Sequence, residues 1–141
     1  EGVYKFSIHS CSIQEAFSYF IEEGSAVIEE LIIQGEGMSI FHPQSINTVR
    51  IVTYNDNGRV EIVQSSVRLG TGDSVVDNGC LSASVDPITG ITSSLGRSAH
   101  EEKLCMFHPD TNVQILGYQI PEWDSLKKYV VQLPLQAPTG G

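Results

Sequence analysis

Apolar residues recur at helical spacing near the start of the chain and at strand spacing after it. Residues 12–23, SIQEAFSYFIEE, place apolar side chains three and four apart, which predicts a helix. Ser12 and Glu15 have the spacing of a capping box, and Gly24 suits the C-terminal end. The next run, SAVIEELIIQ at residues 25–34, has the composition of a strand. The N-terminal part therefore predicts a helix followed by a strand.

Strand patterns dominate the middle of the chain. Residues 47–54 and 59–69 are rich in β-branched side chains and flank NDNG, which predicts a hairpin with a four-residue turn. The run TGDSVVDNG at residues 71–79 has the composition of a loop. A further strand is predicted for LSASVD at residues 81–86, which turns at PITG into a short strand, ITSS.

The C-terminal part combines an irregular stretch with a helix. Residues 95–112 predict irregular structure with one short apolar piece, KLCMF. Residues 121–133, PEWDSLKKYVVQL, predict a second helix with Pro121 in its first turn. One face of this helix carries four residues: Trp123, Leu126, Lys127 and Val130.

The order of these elements predicts an α+β fold, mainly an antiparallel sheet covered on one side by two helices. Residues 1–133 are expected to form the domain, and residues 134–141, PLQAPTGG, a linker-like tail. The chain begins EGVYKF without a Met. Both ends are therefore expected to be cuts through a longer protein.

Composition narrows the class of protein. A chain of 141 residues that is 40% hydrophobic can form one compact core, and it has no apolar run near the ~18 residues of a membrane span. The net charge of -9 argues against general nucleic-acid binding but allows a small phosphate ligand, which needs only a local basic cluster. Three cysteines without C-x-x-C spacing indicate reduced thiols in a cytoplasmic protein.

Glu29 and Glu30 are adjacent carboxylates inside the predicted strand 25–34. Successive strand residues point to opposite faces, so the pair requires an unusual environment. Two arrangements satisfy the pattern. One is an edge strand with both carboxylates in water. The other is a strand that lines a cleft, where its backbone meets a base edge and a carboxylate accepts hydrogen bonds from ribose hydroxyls.

Arg50 and Arg68 lie on the two strands of the predicted hairpin. If Tyr54 pairs with Arg59, then Arg50 pairs with about Val63 and faces the side of the sheet opposite to Arg68. The arginines are then either solvated strand charges or part of a functional site, and composition alone favours neither.

The loop RLGTGDSVVDNG follows the second strand of the hairpin. Gly70, Gly72 and Gly79 relieve backbone crowding there, and successive N–H groups in such a loop can bind an anion. The loop has neither G-x-G-x-x-G nor Walker spacing, so taken alone it is a weak signal.

His42 and His108 both stand in HP dipeptides, FHPQS and FHPDT. Neither has the spacing of a metal site, so we expect both to make hydrogen bonds that shape loops, and we predict no metal ligand in this chain. A serine hydrolase is not predicted either, because G-x-S-x-G does not occur.

Six segments run in order over about residues 26–126: VIEELIIQ, HPQSINTVRIVTYNDNGRV, VRLGTGDSVVDNG, SVDPITG, HPDT and GYQIPEWDSL. Together they resemble the ATP-grasp superfamily, and most closely its sugar-transfer-associated group, found near bacterial surface-polysaccharide genes. The opening EGVYKFSI is similar to the tail of that group's GKGV segment. The resemblance implies the hinge strand and much of the C-terminal lobe of an ATP-grasp fold.

The resemblance implies nucleotide-binding roles. The segment IEEL is similar to the hinge strand that binds adenine through its backbone and ribose through an acidic side chain. Glu29, Glu30 and Leu31 are therefore implied to bind ATP. Arg50, in NTVRI, resembles the arginine on the strand over the phosphates.

The resemblance also implies a reaction, in which ATP activates a carboxylate as an acyl phosphate for attack by a nucleophile. Arg68 resembles the arginine that steadies the transferring phosphoryl group or the acyl phosphate. Asn78 resembles the asparagine of the loop that closes over the reacting groups. Magnesium is implied as the ion that neutralises the phosphate charge.

Three departures from the group's pattern qualify this interpretation. The loop after VDN is short and runs directly into GCLSASVD. The expected phosphate-binding lysine would precede residue 1, and the metal-binding Glu and Asn would follow Gly141. We therefore expect a fragment of an ATP-dependent, ligase-like enzyme that has little activity alone. The alternatives are a non-catalytic nucleotide- or partner-binding module, which the short loop favours, and an unrelated α+β domain.

Overall fold

The computed structural model describes residues 12, 14, 18, 21, 32–74, 81–99 and 102–136. Its elements are, in chain order, helix α1 (Glu36–Ser39), strands β1 (Thr48–Asp56), β2 (Arg59–Leu69), β3 (Leu81–Ser84), β4 (Gly96–Ser98) and β5 (Leu104–Cys105), and helix α2 (Trp123–Gln136). The strands form one antiparallel sheet in the order β1-β2-β3-β4-β5. The predicted α+β class with a mainly antiparallel sheet is confirmed.

Strands β1 and β2 form a long hairpin whose turn has two residues, Asn57 and Gly58. Their φ angles are 51° and 93°, the left-handed conformations that suit the twist of paired antiparallel strands. Asp56 pairs directly with Arg59, and Asn55 Oδ1 accepts a hydrogen bond from Gly58 N–H at 2.9 Å. The predicted four-residue turn is therefore wrong, because Asn-Gly allows a tighter turn and a longer β1.

The ladder between β1 and β2 contains one irregularity, between Val52 and Thr53. Val52 pairs with Gln64 but Thr53 pairs with Ile62, so Val63 has no opposite residue. This is a β-bulge, which adds one residue to one strand and shifts the register beyond it.

The bulge corrects our prediction for the two arginines. Arg50 pairs with Ser66 and Thr48 pairs with Arg68. Directly paired residues share a face, as do residues two apart on one strand, so Arg50 and Arg68 face the same side of the sheet. The predicted pairing with Val63 and the predicted opposite faces are both wrong. The shorter turn moves the register by two residues, and the bulge adds the third, which reverses the face.

The remaining strands are short. Between β3 and β4 the chain forms only isolated bridges, from Val85 to Thr92 and from Ile91 to Gln119. The predicted strand at ITSS is therefore wrong, and the chain re-enters the sheet at β4, inside the stretch predicted to be irregular. Strands of three and two residues, such as β4 and β5, are too short to show a period of two.

The hydrophobic core lies on one side of the sheet. In β2 burial alternates, with Val67 and Leu69 buried and Ser66 and Arg68 only half-buried. The core consists of nine described residues: Phe41, Val67, Leu69, Leu81, Ala83, Val85, Ile115, Ile120 and Trp123. The alternate residues of each strand consequently point to the opposite, uncovered side.

Helix α2 begins at Trp123, two residues after its predicted start, and Pro121 precedes it. The Trp123 ring lies so close to Gly90 that a Cβ there would be 2.1 Å from Trp123 Cγ, and its Nε1–H donates to the carbonyl of Pro87 at 3.3 Å. The predicted inward face is confirmed, since four residues are buried or half-buried: Trp123, Leu126, Lys127 and Val130.

The N-terminal predictions are only partly covered by the structure. Residues 14, 18 and 21 are helical, in agreement with the predicted helix 12–23, whose other residues except Ser12 lie outside the described part. Residues 25–31 of the predicted strand also lie outside it. Residues 32–34 are not a strand, and the Gln34 side chain bonds to carbonyls of the segment that follows α1. In the described ranges no helix has the length and apolar character of a membrane span.

Candidate functional site

Away from the β1–β2 turn and the bulge, the uncovered side of the sheet carries arginines, small hydroxyl side chains and one leucine. The strand register places one residue from each strand in a cross-strand row: Thr48, Arg68, Ser82, Arg97 and Leu104. A second, shorter row crosses the first three strands: Arg50, Ser66 and Ser84. These eight residues are called the open face below.

Positive charge is concentrated on the open face. Arg50 and Arg68 are diagonal neighbours on adjacent strands, which places their Cβ atoms about 7–8 Å apart. Arg97 lies two strands from Arg68, at about 10 Å. No residue of the open face is acidic, although the protein carries a net charge of -9. Such a local field favours an anionic ligand.

Two of the three guanidinium groups are available to a ligand. Arg50 and Arg97 are exposed, and neither forms a hydrogen bond or ion pair with another described residue. Arg59, at the tip of the same hairpin, is by contrast paired with Glu61 at 2.7 Å. A guanidinium presents several N–H donors in a plane, which fits the paired oxygens of a carboxylate or phosphate.

A groove of about 460 Å³ opens beside Arg97. Six residues line it: Ser82, Ser84, Ser94, Leu95, Arg97 and Leu104. Its one charged group is a cation and three others are hydroxyls, so its chemistry matches that of the open face. A second groove, of about 360 Å³ at the start of α2, is lined in part by the carboxylates of Glu122 and Asp124 and is less suited to an anion.

The chain beyond Arg68 is held by side chains from two distant segments. This stretch, Gly70–Gly72, is called the glycine segment below. Gly70 N–H donates to Asn47 Oδ1 at 2.9 Å, and its carbonyl accepts from His108 Nε2 at 2.7 Å. Gly72 N–H donates to Asp110 Oδ2 at 2.7 Å, and its carbonyl accepts from His42 Nε2 at 2.9 Å. All four backbone groups of the two glycines are therefore bonded to side chains.

The packing around Gly70 leaves no room for a side chain. A Cβ at Gly70 would lie 2.0 Å from Ser45 Oγ and 2.7 Å from His42 Nδ1. Gly72 has a φ of 60°, a conformation that favours glycine. The two glycines are thus required for different reasons, close approach in one case and backbone conformation in the other.

The hydrogen bonds place a proton on Nε2 of each histidine, because that nitrogen donates to a glycine carbonyl. His42 Nδ1 meets Ser45 Oγ at 2.8 Å, and His108 Nδ1 accepts from Asp110 N–H at 3.4 Å. Burial lowers the pKa of His108, while its bond to Gly70 and the charge of Asp110 act in the opposite direction.

A second layer of bonds orients Asn47, which is 6% exposed. Its amide Nδ2 donates to the carbonyls of Met38 and His42 and to Gln34 Oε1. Gln34 in turn donates to the carbonyls of His42 and Ser45. No buried side-chain nitrogen or oxygen in the described residues lacks a partner. The network is therefore a fully bonded polar core beneath the glycine segment.

The structure places some of the residues predicted from sequence and not others. Arg50 and Arg68 come together on the open face. The predicted loop-shaping role of His42 and His108 is confirmed by their bonds to the glycine segment. Four predicted site residues lie outside the described part of the chain: Glu29, Glu30, Leu31 and Asn78.

Sequence reasoning did not identify Arg97 or Asp110. Arg97 belongs to a strand of three residues, and only its pairing with Ser82 shows that it shares a face with Arg68. Asp110 stands in HPDT, a segment noted for its resemblance but not for its carboxylate. The parts of the chain that the structure describes contain no group of three or more His, Cys, Asp or Glu side chains placed to hold a metal ion.

Comparison with known proteins gives one match. A family described as sugar-transfer associated ATP-grasp matches residues 4–139. No curated protein and no solved structure matches the chain significantly.

Proposed function

The chain belongs to the sugar-transfer associated ATP-grasp family, and on that premise we propose that its open face binds the phosphate groups of ATP. The whole protein would be a ligase-like enzyme in which ATP, bound with magnesium, supplies the phosphoryl group that activates a carboxylate as an acyl phosphate. A role in surface-polysaccharide synthesis forms part of the proposal, because the group that the sequence resembles is found near such genes.

One observation carries this proposal: on a protein of net charge -9, three arginines lie together in two cross-strand rows that contain no carboxylate. Arg50 and Arg97 have no partner among the described residues, so their desolvation by a ligand would break no internal ion pair. Charge-assisted hydrogen bonds from guanidinium to phosphate are among the stronger polar contacts in proteins. The face therefore has the chemistry needed to hold a polyphosphate.

We assign the roles as follows. Arg50 binds the nucleotide phosphates, and Arg68 steadies the group that is transferred. Asn78 belongs to the loop over the reacting groups, while three residues bind adenine and ribose: Glu29, Glu30 and Leu31. Magnesium would be held by residues outside this chain. We therefore propose that the 141-residue chain alone has weak affinity for ATP and little activity.

The test is an NMR titration of the chain with ATP and magnesium up to millimolar concentration. We expect shifts of amides in β1 to β4 next to open-face residues. Arg68→Ala and Arg50→Ala should each weaken binding roughly 10- to 100-fold, the range for a lost hydrogen bond to a charged group. Arg59→Ala is the matched control, because Arg59 is on the same hairpin but is paired with Glu61, and should leave the affinity unchanged.

Two results would contradict the proposal. If millimolar nucleotide shifts no open-face amide, the face does not bind phosphate. If the isolated chain hydrolyses ATP with magnesium and Arg68→Ala abolishes this, the chain is a complete catalyst rather than a part of one.

A non-catalytic nucleotide-binding module is the second candidate, favoured by the short segment after Asn78, which runs directly into Gly79 and Cys80. In that case the native, full-length protein would bind ATP but would not turn it over with any carboxylate. Turnover by the full-length protein would exclude this candidate.

A further inference from the structure

We propose that His42 and His108 are positioning residues that hold the glycine segment, and with it the end of the strand that carries Arg68, and that His108 makes this hold sensitive to protons. In this inference the hydrogen bonds of both rings keep the segment in place, and protonation of His108 releases it. The positioning of the segment depends on the fold alone, while its effect on nucleotide binding rests on the function proposed above.

The two histidines reach one short stretch from opposite sides of it in the sequence. His42 lies 30 residues from Gly72, and His108 lies 38 residues from Gly70. Their ring centroids are 6.4 Å apart, and they are 3% and 1% exposed. Each ring donates an N–H to a glycine carbonyl, so the pair fixes both ends of the glycine segment at once.

No strand pairing holds the glycine segment. Strand β2 ends at Leu69, so Gly70 and Gly72 lie beyond the ladder of the sheet. The bonds from Asn47 and Asp110 take up the N–H groups of the same two glycines. Loss of one histidine therefore leaves a carbonyl that no strand partner replaces, and the nearest open-face arginine is two residues away in sequence.

Protonation of His108 would disturb its own hydrogen bonds. If Nδ1 of His108 gains a proton, the new N–H points at the Asp110 backbone N–H, and two donors face each other. Protonation of His108 thus breaks the arrangement.

The surrounding charges are consistent with this assignment. The titratable groups that act on His108 are Asp110, which favours its protonated form, and His42, which opposes it. Burial of the ring also favours the neutral form. The folded arrangement therefore disfavours protonation of His108, so that opening of the segment and protonation are coupled.

The test is amide hydrogen exchange at residues 70–74 in the whole 141-residue chain without nucleotide, between pH 8 and pH 5. With intrinsic exchange rates removed, we expect protection of these amides to fall roughly three- to tenfold as the pH drops, the effect of losing one hydrogen bond. The Val85 and Thr92 amides, which bond to Ser65 and Tyr118, are the internal control and should keep their protection.

Two variants separate positioning from simple stability. His108→Gln keeps an N–H donor near the place of Nε2 but does not titrate, so its residues 70–74 should stay protected at pH 5. His108→Phe keeps the ring shape without a donor, so protection should be low at every pH. Rescue by glutamine but not by phenylalanine is the signature of a positioning role.

Three results would overturn the inference. The first is that protection of residues 70–74 does not change with pH. The second is that residues 70–74 of His108→Gln lose protection at low pH as those of the natural chain do. The third is that the Val85 and Thr92 amides lose protection equally. None of these measurements contains nucleotide, so failure of the proposed ATP binding leaves them interpretable. A separate titration shows the link to function: affinity for ATP and magnesium should fall at pH 5 in the natural chain but not in His108→Gln.

Discussion

The open face and the polar core beneath the glycine segment use polar groups in opposite ways. On the open face, Arg50 and Arg97 are charged, in water, and bonded to no described residue. In the polar core, His42, His108 and Asn47 are buried and fully bonded. Charge that is kept in water costs little and stays available to a ligand, whereas buried polar groups stabilise only when every bond is made. The open face is therefore suited to binding a ligand, and the polar core to holding the backbone in position.

The largest expected effect comes from filling the space at Gly70. Gly70→Ala places a Cβ 2.0 Å from Ser45 Oγ, so the polar core must move apart. We expect a loss of about 2–4 kcal/mol in the free energy of unfolding, at the upper end for overpacking. Urea denaturation measures it. Gly35→Ala, where no atom lies within 4 Å and φ is -64°, is the control and should cost less than about 1 kcal/mol. Equal losses at both sites would show that the contact at Gly70 is not rigid.

A somewhat smaller effect is expected from Asn47→Ala. The change removes the acceptor of Gly70 N–H and the donor to Met38 and His42, leaving several buried groups without partners. The expected cost is about 1–3 kcal/mol. Asn55→Ala, which removes one bond in an exposed turn, should cost less than 1 kcal/mol by the same reasoning. Thermal unfolding of the two variants side by side tests whether burial sets the difference.

The pH dependence of stability provides a third comparison. The pKa of His108 is lowered in the folded protein, so between that value and the ordinary value of 6.5 the unfolded chain binds more protons. The contribution of His108 to stability is therefore complete above about pH 6.5 and is lost as the pH falls through the folded pKa. Urea midpoints measured from pH 8 to pH 5 should decline less steeply in His108→Gln. If the urea midpoint of His108→Gln declines with pH as steeply as that of the natural chain, His108 is not the titrating group.

The smallest effect on stability is expected on the open face. Arg97→Gln removes an exposed charge that no described residue pairs with, so the free energy of unfolding should change by less than about 0.5 kcal/mol. Binding of inorganic tripolyphosphate should nonetheless weaken, and more so at low salt, where exposed charges are least screened. Calorimetric titration at two salt concentrations checks both statements. A large loss of stability would mean that the arginine has a structural role.

The sequence predicted the fold class and the hairpin but not the faces of the two arginines. The signal for the bulge was nonetheless present in β2. Its core-facing apolar residues are Val60 and Ile62 before the bulge and Val67 and Leu69 after it, so they change from even to odd positions. A strand can bury both pairs only if one extra residue is absorbed between them. A strict period of two, applied across the whole strand, therefore gave Arg50 the wrong partner.

The polar core could be predicted only in part. The two HP dipeptides indicated that His42 and His108 shape loops, because neither had the spacing of a metal site. Their target could not be predicted, since the bonds to Gly70 and Gly72 span 38 and 30 residues and depend on the completed sheet. A local sequence pattern does not show which residues far apart in the chain will be in contact. Arg97 was missed for the same reason, because its face is set by pairing across β3.

The bonds that hold Gly70 and Gly72 also have a consequence for the order of folding. Hairpin β1–β2 can form from neighbouring residues around Asn57 and Gly58, as contacts between residues close in sequence close small loops. The glycine segment cannot be fixed until residues 108–110, which follow β5, have reached it. Although it directly follows a strand that can form early, this segment is expected to be among the last parts of the sheet region to become ordered. A chain emerging during synthesis would carry Arg68 on a formed hairpin well before His108 and Asp110, two of the residues that hold the next turn, exist.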